Sequence, residues 1–446
     1  MNVLRKLAVL GLGFVGLSTA VFFASKGYDV LASDIEKSKM NKIGRGRTPF
    51  FEKNLEPKLK KVLQNQKLKL ILETEKAVLG SDIAFVAVGT PSLPSGNPDL
   101  SFIKNVSEEI GRALRKKSSY SLVVIKSTVP PGTTETTVRT TIEKYSGKRA
   151  SEQFGLATSP EFLREGTALD DVAHPHRIVI GGLDKKAGDI LEKFNKEIYG
   201  EKTRILRMNV ASAEFSKYAS NAFLATKISF INEMASICEK ISGVDVAEIA
   251  VAMGLDPRIG PQFLSAGAGW GGSCLPKDTR GMVALSRKFG HEARLTKEVV
   301  DVNRLQAEHM VELAEEELKD LRGRRMAVLG LSFKPDTDDI RDAPSLRIIE
   351  MLISKGSKVI VYDPMATNNV KRLLGRKIAY AKDVAGCLEN ADCCMVITEW
   401  KEFKDLTPAF FVRRMRNPVL IDCRRIYDPK QFSKALVFRA VGLGRA

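Results

Sequence analysis

An α/β chain of two doubly wound domains joined by a long central helix is what the sequence predicts, on three observations. Gly11-Leu12-Gly13-Phe14-Val15-Gly16 lies between a short apolar run at 6–10 and a helical run reaching Lys26. Ala8-Val9-Leu10-Gly11-Leu12 returns letter for letter as Ala327-Val328-Leu329-Gly330-Leu331, and Val30-Leu31-Ala32-Ser33-Asp34 is echoed by Val359-Ile360-Val361-Tyr362-Asp363. Between the copies, residues 211–241 hold no Gly or Pro and repeat apolar side chains at helical spacing, which predicts one helix of roughly 30 residues.

The first copy reads as strand 6–10, glycine turn, helix, Gly27 as stop, and a second strand at 28–33 closed by Asp34. Glycines allow the tight turn, the approach of a phosphate and close helix packing, and the helix N-terminus favours the negative charge. Asp34 is set to accept hydrogen bonds from a ribose diol and to repel a 2′-phosphate, which favours NAD over NADP. Further strands are expected at 83–88, 122–126, 154–157 and 178–181, in a parallel sheet. Thr90 and Thr128 follow two of them, at strand ends where open sheets bind ligands.

Ser159-Pro160 reads as an N-cap and first helical residue, with Glu161 and Glu165 one turn apart on one face. Lys217 and Asn221 share a face of the central helix and could hold an oxyanion or a water. A second long helix is expected at 297–321. In the second copy Ser332 replaces the second glycine, so loss of dinucleotide binding is expected there. The boundaries read as 1–205 for a dinucleotide-binding Rossmann domain, 206–321 for a helical linker that carries Cys274, and 322–446 for a C-terminal Rossmann-like domain.

The net charge of +17 suits anionic ligands. The basic clusters at 58–61, 115–117 and 322–325 do not interleave with aromatics, which argues against nucleic acid. No apolar run of roughly 18 residues appears, so no membrane partner is expected. The start of the chain has a faint signal-peptide look, but its apolar run is short and is read as a strand. Six cysteines without finger spacing, and four histidines that form no ligand set, fit a reducing cytoplasm and no metal. His174 and His176 read as surface loop residues.

Cys274 sits in Gly267-Ala268-Gly269-Trp270-Gly271-Gly272-Ser273-Cys274-Leu275-Pro276-Lys277-Asp278, before a helix reading from Pro276 to Phe289 with Gly290 as its stop. A helix N-terminus and a lysine beside a thiol lower its pKa and favour a thiolate nucleophile.

These motifs, in this order with Lys126-Ser127-Thr128-Val129-Pro130-Pro131-Gly132 and Ser159-Pro160-Glu161-Phe162-Leu163-Arg164-Glu165, resemble the nucleoside-diphosphate-sugar 6-dehydrogenases, the UDP-glucose/GDP-mannose dehydrogenase family, over nearly the whole chain. The resemblance implies oxidation of a sugar C6 alcohol to a carboxylate with two NAD⁺ reduced in turn, through a cysteine thiohemiacetal and thioester. It implies Cys274 as nucleophile, Lys217 and Asn221 as oxyanion stabilisers, Asp278 and Thr128 on water, and Glu161 in thioester hydrolysis. For the cofactor it implies Gly11, Gly13, Phe14, Val15, Gly16, Asp34, Thr90, Thr128, Glu165 and Lys277. For the substrate it implies Glu161, Phe162, Leu163, Arg164, Lys217, Asn221, Phe263, Leu264, Ser265, Gly271, Lys334 and Arg424. Arg258 would reach the substrate of a neighbouring subunit, which implies a homodimer or higher homo-oligomer. The resemblance makes the linker at 206–321 the dimerisation region and the last domain, 322–446, the UDP-sugar-binding one. Asp256-Pro257-Arg258-Ile259-Gly260 resembles the branch acting on UDP-glucose, with GDP-mannose as the alternative; Ser273, where N-acetyl-sugar relatives carry His, argues against those. Cys423 stands where the family usually has glycine, which puts the fine placement of Arg424 and Arg425 in question. A non-catalytic NAD- or nucleic-acid-binding protein would explain the glycine turn and the charge, but not the cysteine, lysine and asparagine set.

Overall fold

A computed structural model describes residues 6–445; residues 1–5, part of the signal-like start, and Ala446 lie outside the described residues. The chain divides into two compact units, Met1–Ser220 and Asn221–Ala446.

The first unit is built on β1 (Lys6–Leu10), β2 (Asp29–Ser33), β3 (Leu68–Leu70), β4 (Ile83–Val86), β5 (Leu122–Ile125), β6 (Gly155–Thr158), β7 (Ile178–Gly182) and β8 (Ile205–Met208), in the order β3-β2-β1-β4-β5-β6-β7-β8. The order reverses between β1 and β4, the switch point where a doubly wound sheet opens a crevice at its carboxyl edge. Both faces are covered, and the strand period of two divides the core accordingly. Leu7 and Val9 join the cluster of Phe22, Phe23 and Phe194, whereas Ala8 and Leu10 join that of Ile103, Ile110 and Leu156.

One pairing departs from the parallel expectation: β7 runs antiparallel to β6. The connection between them carries the helix Ala168–Ala173.

The second unit repeats the design with β9 (Arg325–Leu329), β10 (Lys358–Tyr362), β11 (Ala379–Tyr380), β12 (Cys393–Val396), β13 (Val419–Asp422) and β14 (Val437–Ala440), in the order β11-β10-β9-β12-β13-β14 and parallel throughout. Cys393 and Cys394 are neighbours in sequence but point to opposite faces of this sheet, into different core clusters. Both are free core thiols, and burial pushes both thiol pKa values up.

The central helix spans Val210–Cys238, and the division between the units falls inside it. The later long helix spans Arg294–Leu318, earlier than expected, because Lys319 turns to a positive φ of 64° and ends it. Among the described residues no helix is long and apolar enough to cross a membrane.

Candidate active site

In the first unit, β1 ends on the glycine turn. Gly11 has a φ of 90°, and a Cβ on Gly16 would lie 1.8 Å from the Gly11 carbonyl oxygen, so side chains are excluded at both. A Cβ on Gly13 would meet nothing within 4 Å, which leaves the room a pyrophosphate needs at the start of the helix Phe14–Ser25. Phe14 and Val15 form the first turn of that helix. Asp34, buried at the end of β2, accepts from the Leu12 N–H (2.7 Å) and the Glu36 N–H (2.9 Å). Lys39 lies 3.0 Å from the same carboxylate. The sequence reading missed Lys39; its signal was a lysine five residues after the strand-end acid.

Beyond β4, the Thr90 hydroxyl donates to the Thr128 carbonyl oxygen at 2.8 Å, which ties the loops after β4 and β5 together. After β6 the structure overturns one expectation: residues 159–164 form an extended loop and not a helix, so Glu161 and Glu165 share no helical face. Three local bonds compete with helix formation there. The Ser159 N–H donates to the Ile125 carbonyl oxygen (2.8 Å), the Glu161 carboxylate turns back onto the Leu163 N–H, and Asp171 captures the Arg164 N–H (2.8 Å) and guanidinium. Phe162 stacks under the Arg177 guanidinium, 3.8 Å from the ring centre. Glu165 is buried in the turn that follows.

The loop delivers Glu161 to Lys217. Their charged atoms are 3.1 Å apart, with only 6% and 4% of the side chains exposed. Lys126, at the end of β5, feels both charges. Burial lowers its pKa to about 8; Glu161 pulls it back up and Lys217 adds to the lowering. The sequence reading quoted Lys126 but gave it no role; a lysine closing a fully apolar strand was the available signal.

In the second unit the cysteine loop is fixed from several sides. The Asn232 amide oxygen accepts from the Gly267 N–H (2.8 Å), the Asn303 amide oxygen from the Trp270 N–H (2.7 Å), and the Cys423 carbonyl from the Ala268 N–H (3.1 Å). A Cβ on Gly271 would lie 2.4 Å from the Asp342 carbonyl oxygen, so glycine is required there. The loop delivers Cys274 as the residue preceding the helix Leu275–Lys288, with its side chain part-exposed and the Ser273 hydroxyl 3.5 Å from its sulfur. Asp278, one turn on, is 1% exposed. It accepts from the Asn221 amide nitrogen and is paired with the Lys277 ammonium, each at 2.5 Å. The lysine expected to bias the thiol thus spends charge on this carboxylate.

The remaining substrate candidates are less gathered. Arg258 closes on Asp256 of its own turn (2.6 Å). Phe263 takes a positive φ of 66°, Leu264 is buried and Ser265 exposed. Lys334 follows β9, part-buried, beyond the carboxyl end of that strand. The Arg424 guanidinium donates to the Ile397 carbonyl (2.7 Å) and the Gly269 carbonyl (3.2 Å), which braces the cysteine loop. His174 is exposed and pairs with Asp170 at 3.1 Å. Among the described residues no group of three or more His, Cys, Asp or Glu is arranged for a metal.

Models of the UDP-glucose/GDP-mannose dehydrogenase family match the chain in three blocks: the NAD binding domain at 5–201, the central domain at 211–305 and the UDP binding domain at 327–429. The chain belongs to the UDP-glucose/GDP-mannose dehydrogenase family. It is an NAD-dependent oxidoreductase of that family, with a UDP-binding domain. It is 41% identical to the UDP-glucose 6-dehydrogenase AglM of Haloferax volcanii, over 96% of this chain and 98% of that one. It is 38% identical to the UDP-glucose 6-dehydrogenase TuaD of Bacillus subtilis, over 98% and 93%. A solved UDP-glucose dehydrogenase from Pyrobaculum islandicum superposes with a TM-score of 0.92 at 38% identity, covering 99% of this chain and 98% of that one. The residues present fit NAD: an open approach at Gly13, a helix N-terminus behind it and an acid at the end of β2.

Proposed function

We propose that the chain oxidises UDP-glucose to UDP-glucuronate through a covalent Cys274 thioester. The carrying observation is Cys274 itself: a part-exposed thiol at a helix N-terminus, on a loop held at Gly267, Ala268 and Trp270. Bound NAD⁺ supplies the hydride acceptor for each of two oxidations. The chain does the rest. The C6 alcohol loses a proton to a base or water as its hydride departs, leaving an aldehyde. The Cys274 thiolate attacks that carbonyl, and the new C–S bond turns the carbonyl oxygen into an oxyanion. Lys217 and Asn221 stabilise this charge, since preformed donors in a dry site need no reorganisation. Departure of the second hydride from C6 leaves a thioester. Water, oriented by Asp278 and Thr128 with help from Glu161, adds to it, and the C–S bond breaks to give carboxylate and thiol.

The same chemistry would serve GDP-mannose, so the sugar nucleotide is the first thing to test. Purified chain with UDP-glucose should release about two NADH per sugar, as each C6 oxidation delivers one hydride. Turnover of GDP-mannose in place of UDP-glucose would replace the substrate, and no NAD⁺ reduction with any nucleotide sugar would end the proposal. Tight, salt-sensitive DNA binding would instead favour the non-catalytic alternative.

The three-part division at 205 and 321 belongs to the same proposal, with the middle part as the dimerisation region. Support for a homodimer comes from Phe223, Phe230 and Ile237, which are 65%, 43% and 50% exposed. Seven-residue spacing sets them in one stripe along the central helix, and exposed apolar stripes mark interfaces. Sedimentation at micromolar concentration should give the mass of two chains; a single-chain mass would remove the dimer.

A further inference from the structure

Glu214 lies on the central helix one turn before Lys217, and nothing in the mechanism above uses it. Its side chain is only 2% exposed as a residue, yet both carboxylate oxygens accept backbone donors from a distant loop. The Gly132 N–H donates to Oε2 at 2.6 Å and the Thr134 N–H to Oε1 at 2.9 Å. That loop runs on from Thr128. Its other end is held by the Thr90 hydroxyl on the Thr128 carbonyl (2.8 Å), and its middle by the Thr133 hydroxyl on the Pro130 carbonyl (2.6 Å). Gly132 has a φ of 83°, so a side chain there would be strained. The next residues, Thr134–Val138, form a π-helical turn before the helix Arg139–Ser146, a geometry that recurs at functional sites. A carboxylate at such an N-terminus satisfies donors that have no intrahelical partner.

We propose that Glu214 is a positioning residue for catalysis, fastening loop 128–134 so that Thr128 is presented to the cofactor and the hydrolytic water. This deepens the proposed dehydrogenase reading and rests on it. The carboxylate does this fully only when ionised, because a protonated oxygen is a much weaker acceptor and carries a hydrogen of its own. Burial raises the Glu214 pKa to about 7; the Thr134 and Gly132 donors pull it down and the charge of Glu135 pushes it up. Lys217, the next charge on the same helix face, is paired with Glu161.

Two opposite pH trends follow. Loop fastening, and with it kcat, rises as pH rises through about 7. Stability moves the other way: with the folded pKa raised, the Glu214 contribution is full below the ordinary value and is lost as pH climbs through about 7. The test is Glu214→Gln, which keeps one acceptor and cannot ionise. At about pH 8 its kcat should fall roughly tenfold to a hundredfold with KM for UDP-glucose within about twofold. The gap from wild type should narrow at about pH 6, while the variant's melting temperature relative to wild type rises from about pH 6 to about pH 8. Unchanged kcat at both pH values, or kcat and melting temperature falling together at both, would overturn the inference. If the variant does not fold, amide exchange in the wild type decides. Protection at Gly132 and Thr134, corrected for base catalysis, should be greater at about pH 8 than at about pH 6; equal protection overturns it. A wild type that oxidises no nucleotide sugar would remove the proposed function instead, leaving exchange as the judge of the loop anchor.

Discussion

Cys274→Ser should cut steady-state NADH production by roughly a thousandfold or more, since losing a covalent nucleophile disables the steps that act with it. The first oxidation needs no sulfur, so one hydride can still leave. A serine hydroxyl at this position is a far weaker nucleophile than a thiolate, and any ester it formed would hydrolyse slowly. The variant should therefore stall after its first turnover, and mass spectrometry of the stalled protein should reveal either no adduct or a trapped acyl group. Because Cys274 is part-exposed and precedes its helix, the exchange of one atom leaves the packing intact and the melting temperature unchanged. Turnover at the wild-type rate would refute covalent catalysis outright.

Lys217→Met should lower kcat by roughly a hundredfold to a thousandfold, the scale of losing one preformed oxyanion donor. It should also destabilise the fold by about 3–5 kcal/mol, because Glu161 would keep its buried charge without its ion-pair partner. The two effects separate in the double variant Lys217→Met/Glu161→Gln. Removing both charges should recover most of the stability and none of the rate. Denaturant unfolding measures the first and steady-state kinetics the second. Recovery of both in the double variant would make the pair structural only.

Legibility in the sequence followed the range of the interactions. The glycine turn, the repeated strand motif, the central helix and the helix after Cys274 are written in local spacing, and the chain forms all of them. The segment from Ser159 to Glu165 misled because its local letters fit a helix start, whereas Ile125 and Asp171 claim its backbone from elsewhere. The antiparallel β7 was hidden for a similar reason: strand direction is set by pairing with a distant strand, here Ala157 and Thr158 with Gly182 and Gly181, and not by the letters of the strand itself. Glu214 was invisible because Gly132 is 82 residues away, and nothing in a helical pattern tells an acid that caps a remote turn from one that faces water.

The acid closing β10 is fully committed within its own unit. Asp363 Oδ2 takes the N–H groups of Leu331 and Ser332, the Ser332 hydroxyl and the Trp400 indole, while Oδ1 takes those of Met365 and Ala366. No lone pair is left over for an adenosine diol. The residue is turned inward, as a rivet for its own sheet. Placing glycine at Ser332 alone would therefore not give this half dinucleotide affinity; the indole would have to be withdrawn as well.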